Sequence, residues 1–159
     1  MKFKENYAVI PLITVVTAIA GSLLTSGGMA WYDMLVKPEL TPPKWIFPVA
    51  WNIIFICTTI AAIIVWNKDK DCKIGRSACF RIFGLFLLNA ILNVLWSALF
   101  FRMHILMTAF AEMIVLELTT ILLAAIVWKT SKLASVLLLP YVIWGGFAVY
   151  LTYQIVLLN

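Results

Sequence analysis

The sequence predicts an all-α integral membrane protein, a single bundle of five transmembrane helices. Composition is the first reason. Of 159 residues, 64% are hydrophobic and 12% charged, where soluble domains run to roughly half apolar and a quarter charged. The second reason is how the apolar residues are distributed. Five runs, at about 5–27, 46–67, 79–101, 105–128 and 133–157, reach the length a spanning helix needs, roughly 20 residues. Lipid satisfies no backbone polar group, so only helices or closed barrels cross it, and these runs are too continuous for barrel strands. The connections are short, so one domain covers 1–159, and the longest of them, 28–45, is a loop over the bundle.

The first run is longer than a signal-peptide core and lacks a small-x-small cleavage site, so it is read as a permanent helix. Thr17, Gly21 and Thr25 form a small-residue series that suits either packing inside the bundle or a dimer interface. Gly27 and Gly28 are expected to end this helix. In the second helix Pro48 falls in the first turn, where its missing N–H costs nothing, and Phe47, Trp51 and Phe55 repeat every four residues. The third places Asn89, Asn93, Trp96 and Phe100 on one face. Buried amides need partners, so this face is either interhelical glue or a cavity wall. The fourth carries Glu112 and Glu117, whose directions differ by roughly 140°, which does not make an acid–base pair. On the fifth, Tyr141, Trp144 and Ala148 share a face beside Gly145 and Gly146, and Pro140 is a candidate kink.

The net charge of +5 reflects topology and not nucleic-acid binding. With the N-terminus cytoplasmic, Lys2, Lys4, Lys68, Lys70, Lys73, Arg76, Arg81, Lys129 and Lys132 lie inside, against Lys37, Lys44 and Arg102 outside. That positive-inside bias places the C-terminus outside in a multi-pass membrane protein. The basic side also suits anionic membrane lipid. Cys57, Cys72 and Cys79 have no paired spacing and are read as free thiols. With His104 the lone histidine, in an outer turn beside Arg102, no metal site is expected.

Trp31, Trp45, Trp66 and Trp128 lie near helix boundaries and are assigned to the interfacial aromatic belt. Trp51, Trp96 and Trp144 lie inside helices. At ~1.5 Å per residue, Trp51 and Trp96 sit about 9 and 8 Å below the outer ends of their helices, in one layer. Above them runs KPELTPPKWIFPVAW, residues 37–51, with Pro38, Pro42, Pro43 and Pro48. Proline fixes φ and donates no hydrogen bond, so this passage reads as a stiff lid and the upper wall of a pocket, with Lys44 at its mouth.

Six motifs fall in order: Trp31–Tyr32, Lys37–Pro38, Pro42–Pro43, F-P-x-x-W from Phe47 to Trp51, LN-x-x-WS-x-x-FF from Leu92 to Phe101, and PY-x-x-W-x-x-FA from Pro140 to Ala148. Together they resemble the translocator protein family, also called tryptophan-rich sensory proteins or peripheral benzodiazepine receptors. The resemblance implies five helices around a lidded pocket that binds porphyrins, haem-related tetrapyrroles and benzodiazepine- or isoquinoline-type ligands. It implies a homodimer and no required cofactor, porphyrin being ligand or substrate. Light-dependent porphyrin degradation, using Trp51 and Trp144, is the enzymatic alternative; transport of porphyrin or sterol-like ligands is another. The expected ligand-binding set is Tyr32, Pro42, Pro43, Lys44, Phe47, Trp51, Phe55, Asn89, Asn93, Trp96, Phe100, Tyr141, Trp144 and Ala148. Two departures matter. Asn89 stands where the family often has glutamine. No cation follows Tyr153, which makes cholesterol a poor candidate.

Overall fold

The computed structural model describes residues 6–69 and 76–159 of the chain. Lys2, Lys4, Lys70, Cys72 and Lys73 lie outside these, as do the side chains of Arg76 and Cys79. The described residues form α1 (Asn6–Met34), α2 (Ile46–Asp69), α3 (Arg76–Ser97), α4 (Leu106–Thr130), α5 (Lys132–Val136) and α6 (Leu139–Leu158). Five stretches are long and apolar enough to cross a membrane, the fifth being α5 and α6 together, Lys132–Leu158. The chain is a multi-pass helical membrane protein.

The helix ends depart from the sequence reading in three places. First, α1 does not stop at Gly27 and Gly28 but continues to Met34, so the connection to α2 shrinks to residues 35–45. A glycine pair ends helices in water because solvent competes for the backbone; in lipid the backbone has no other partner. Second, the outer end of α3 widens into a π-helical turn, Ala98–Arg102. Met103 N donates to Ala98 O at 2.9 Å and Ile105 N to Leu99 O at 3.1 Å. His104, with φ 60°, then reverses the chain into α4. Third, the last span is broken at Leu137 and Leu138, with Pro140 in the first turn of α6, so the anticipated kink is a short break. Ser131 caps α5 by accepting from Ala134 N at 3.4 Å, and Ser135 Oγ ties it to α4 by donating to Ala124 O at 2.7 Å.

The core has three layers. At the end opposite the lid, Ala61, Val65, Ile82, Leu123, Val127 and Leu138 pack together. In the middle lie Ile54, Leu92, Met113, Leu116 and Tyr141. Under the loop are Tyr32, Leu99, Phe100, Phe101, Ala109 and Ile155. Helix α1 stands apart, for only Thr17, Gly28 and Tyr32 of its described side chains are buried. Its closest approach is at Gly28, where a Cβ would collide with the carbonyl of Phe101.

Gly28→Ala forces α1 away from the π-helical turn and is expected to cost about 1–3 kcal/mol. Gly27→Ala meets open space and is expected to gain up to ~1 kcal/mol from helix propensity. Thermal denaturation of both variants in detergent checks the pair. Equal stabilities would mean that α1 is not seated at Gly28.

Candidate functional site

Behind the small-residue face of α1 lies a cavity of about 700 Å³, within the ~300–1,000 Å³ typical of ligand sites. Four elements and the loop wall it. From α2 come Phe47, Pro48, Trp51, Asn52 and Phe55; from α3 and its π-helical turn come Asn93, Trp96, Ser97, Phe100 and Phe101. From α6 come Ala148, Leu151, Thr152 and Ile155, and the roof is Tyr32, Lys37, Thr41, Pro42, Pro43 and Lys44.

The aromatic rings on the wall form two groups, one on α2 and one on α3 with Tyr32. Trp96 stacks on Phe100 with centroids 5.2 Å apart, Trp51 lies 5.9 Å from Phe55, and Tyr32 lies 5.8 Å from Phe101. Phe100 and Phe101, consecutive in the π-helical turn, are both buried and both line the cavity.

The loop is tied at three points. Lys44 pairs with Asp33 at 2.6 Å. Lys37 Nζ donates to Asp33 O at 3.2 Å and sits 4.9 Å above the Tyr32 ring. Asn159, just past α6, clasps Val36 twice: Val36 N donates to Asn159 Oδ1, and Asn159 Nδ2 donates to Val36 O, both at 3.0 Å.

Of the expected set, Tyr32, Pro42, Pro43, Lys44, Phe47, Trp51, Phe55, Asn93, Trp96, Phe100 and Ala148 line this cavity; Asn89, Tyr141 and Trp144 do not. Tyr141 is in the middle core layer, where it receives a hydrogen bond from Asn93 Nδ2 at 2.9 Å. Asn89 donates to Thr120 Oγ1 at 2.8 Å. Both amides therefore glue α3 to its neighbours, and Asn93 also serves as cavity wall. Trp144 packs behind Phe47, ring edge to face at 5.8 Å, one ring removed from the space. Trp31 is turned inward from its expected belt position and stacks on His104 at 4.0 Å. Trp45 and Trp128 remain outward-facing, while Trp66 is partly exposed and packs edge-on against Phe83 of α3 at 4.6 Å.

The reading of the sequence missed the α1 wall, which is Ala18, Gly21, Ser22, Thr25, Ser26 and Met29. Its signal was the Thr17–Gly21–Thr25 series, where a close-packed helix was one of the expected partners; Gly21 and Thr25 face the cavity. Lys37 and Thr41 lay in the passage read as the lid but outside the expected ligand-binding set, and Asn159 was missed as a tie of the roof. A second cavity of about 240 Å³ lies below, between α1, α2 and α3, and holds Asn89 and Tyr141 on its wall.

A model of the TspO/MBR family matches residues 9–158. The chain belongs to that family. It is 34% identical to the tryptophan-rich protein TspO of Chlorobaculum tepidum, covering 92% of this chain and 91% of the relative. It is 33% identical to the tryptophan-rich sensory protein of Cereibacter sphaeroides, over 89% and 87%. To the translocator protein 2 of Canis lupus familiaris it is 36% identical, over 77% and 71%. In this TspO/MBR chain, then, the aromatic stripes of α2 and α3 converge on one lidded cavity, and the stripe of α6 reaches it through Ala148.

Removing the Asn93 amide strands the buried Tyr141 hydroxyl, at a cost of about 1–3 kcal/mol. A double-mutant cycle of Asn93→Leu with Tyr141→Phe is expected to show coupling, with the double variant more stable than the sum of the single losses predicts. Strict additivity would show that the bond contributes nothing.

Proposed function

We infer that the upper cavity binds a flat, anionic aromatic molecule of the tetrapyrrole type, and that the protein acts as a membrane sensor or handler of it. One observation carries this: a tryptophan- and phenylalanine-walled chamber whose mouth holds two lysines. Indoles and phenyl rings favour a flat π-system by stacking. Lys37 and Lys44, both on the roof, suit a ligand with two carboxylates on one edge. Two further groups fit an acceptor-bearing guest. Trp96 Nε1 and Thr41 Oγ1 are buried on the wall without a hydrogen-bond partner among the described residues, and such donors are costly unless something accepts from them. The names of the sensory and translocator relatives agree with a receptor role. The benzodiazepine- or isoquinoline-type ligands of the resemblance would enter the same aromatic space.

Titration with protoporphyrin, read by tryptophan quenching, tests the reading. Trp51→Leu and Trp96→Leu are each expected to weaken binding about tenfold, an aromatic pair plus lost contact area. Trp144→Leu, behind Phe47, is expected to do less. Lys37→Met with Lys44→Met is expected to weaken binding and flatten its salt dependence. Wild-type affinity in both tryptophan variants would remove the aromatic site.

The proposed orientation puts the loop outside the cell, and a homodimer is the proposed assembly. A membrane-impermeant thiol reagent is expected to label Glu39→Cys in intact cells. Labelling only after lysis would invert the topology.

A further inference from the structure

The lower cavity has no part in the reading above. At about 240 Å³ it falls below the usual range for ligand pockets and is far smaller than the chamber over it. Its wall is largely aliphatic and aromatic, with Ile10, Ile13, Phe86, Leu87 and Ala90. The polar groups on it are mostly committed to each other or to the backbone. Thr14 bonds Thr59 at 2.8 Å, Thr17 donates to Ile13 O, and Asn93 is held by Tyr141. Among the described residues, no Lys, Arg, Asp or Glu lines it. Such a space has little with which to orient a polar molecule, and it suits a narrow hydrocarbon chain.

The two cavities are neighbours that share wall residues. Phe55 and Asn93 line both, and α1 supplies only small residues along the junction, Thr14 and Thr17 below and Ala18 and Gly21 above. The lysines are at the far end, in the roof. A guest held by its anionic edge at Lys37 and Lys44 therefore presents its opposite edge to Phe55 and the lower space. We propose that the lower cavity holds the linear hydrocarbon tail, prenyl or acyl, of a ligand whose ring system fills the upper cavity. The tail is attached to the ring edge opposite the carboxylates, and Phe55 is the side chain it must pass. This rests on the reading of the upper cavity as a ring-binding site.

The test compares protohaem with its farnesylated counterpart, in which a hydroxyethylfarnesyl group replaces one vinyl on the edge away from the propionates. Affinities are measured in one detergent for the wild type, Ala90→Phe and Thr58→Phe. These substitutions fill the lower cavity from α3 and from α2 and leave the upper wall intact. Thr58 Oγ1 is itself without a partner among the described residues, so its loss removes no hydrogen bond seen there. The tailed ligand is expected to bind about tenfold tighter than protohaem to the wild type. In both filled variants the ratio is expected to fall towards one, with protohaem affinity unchanged. A wild-type ratio of one, or a ratio that survives both fillings, overturns the tail site while leaving the ring site standing. A surviving ratio with loss of a co-purifying phospholipid assigns the space to bilayer lipid and likewise overturns the proposal. Failure of the wild type to bind protohaem or protoporphyrin at all sinks the ring-binding reading, and this inference with it. A terminally brominated tail provides a readout in the unaltered protein. It is expected to quench Trp66, which lines the lower cavity, and that component should vanish in Trp66→Phe; its absence from the start counts against the tail.

Discussion

The cavity depends on how α1 is seated. At Gly28 the helix meets the carbonyl of Phe101 so closely that no side chain fits between them. Four residues on, Tyr32 packs on the rings of Phe100 and Phe101. Below this anchor the inward residues are small, Ala18, Gly21 and Thr25, and leave the space between α1 and the facing helices open, until Thr14 meets Thr59 of α2 further down. In water such a gap would be driven shut by the hydrophobic effect. In lipid that force is absent between helices, and association rests on packing and hydrogen bonds. A gap then forfeits dispersion contacts but creates no new apolar surface against water. One tight backbone contact at the lid end, with small residues facing inward below it, is enough to leave a chamber.

The polar residues inside the bundle follow the same economy. Asn89 and Asn93 might have been either glue or ligand contacts, and the structure uses their amino groups as glue, to Thr120 and Tyr141. Asn93 can still face the cavity because an amide has an oxygen to spare once its nitrogen is committed. The carboxyls of Glu112 and Glu117 belong to neither cavity. Glu117 lies against Gly145, whose lack of a side chain makes the room for it. Gly145 is thus explained by a neighbouring carboxyl, whereas Gly146 would meet it only in ordinary contact.

Much of this was readable from periodicity. Five apolar runs gave five spans, and helical spacing of three or four residues put Phe47, Trp51 and Phe55 on one wall and Asn93, Trp96 and Phe100 on another. Spacing gives direction, not distance. Tyr141, Trp144 and Ala148 do share the inward half of α6, yet Phe47 stands between Trp144 and the cavity. The end of α1 was misplaced because glycine was weighed as it is in water, although glycine is common in membrane helices. The π-helical turn has no compositional mark, and the place of Phe101 beside Phe100 on the cavity wall was not foreseen. Nor could the clasp of Asn159 on Val36, since two residues so far apart in sequence meet only in the folded chain.

The roof illustrates how stiffness can substitute for strong contacts. Its ties are an ion pair between exposed side chains, a lysine over a tyrosine ring and a two-bond clasp at the surface. Exposed ion pairs and surface hydrogen bonds hold weakly. Pro38, Pro42 and Pro43 narrow the conformations open to residues 35–45 before any tie forms, which reduces the entropy lost when the loop settles over the cavity. Such a lid closes on modest contacts and opens without disturbing a helix. On the proposed reading, an anionic guest at the mouth would compete with Asp33 for Lys44, so entry would exchange one partner of the lysine for another and would not leave the cation bare. The lysine that ties the roof to Asp33 would then also receive the guest.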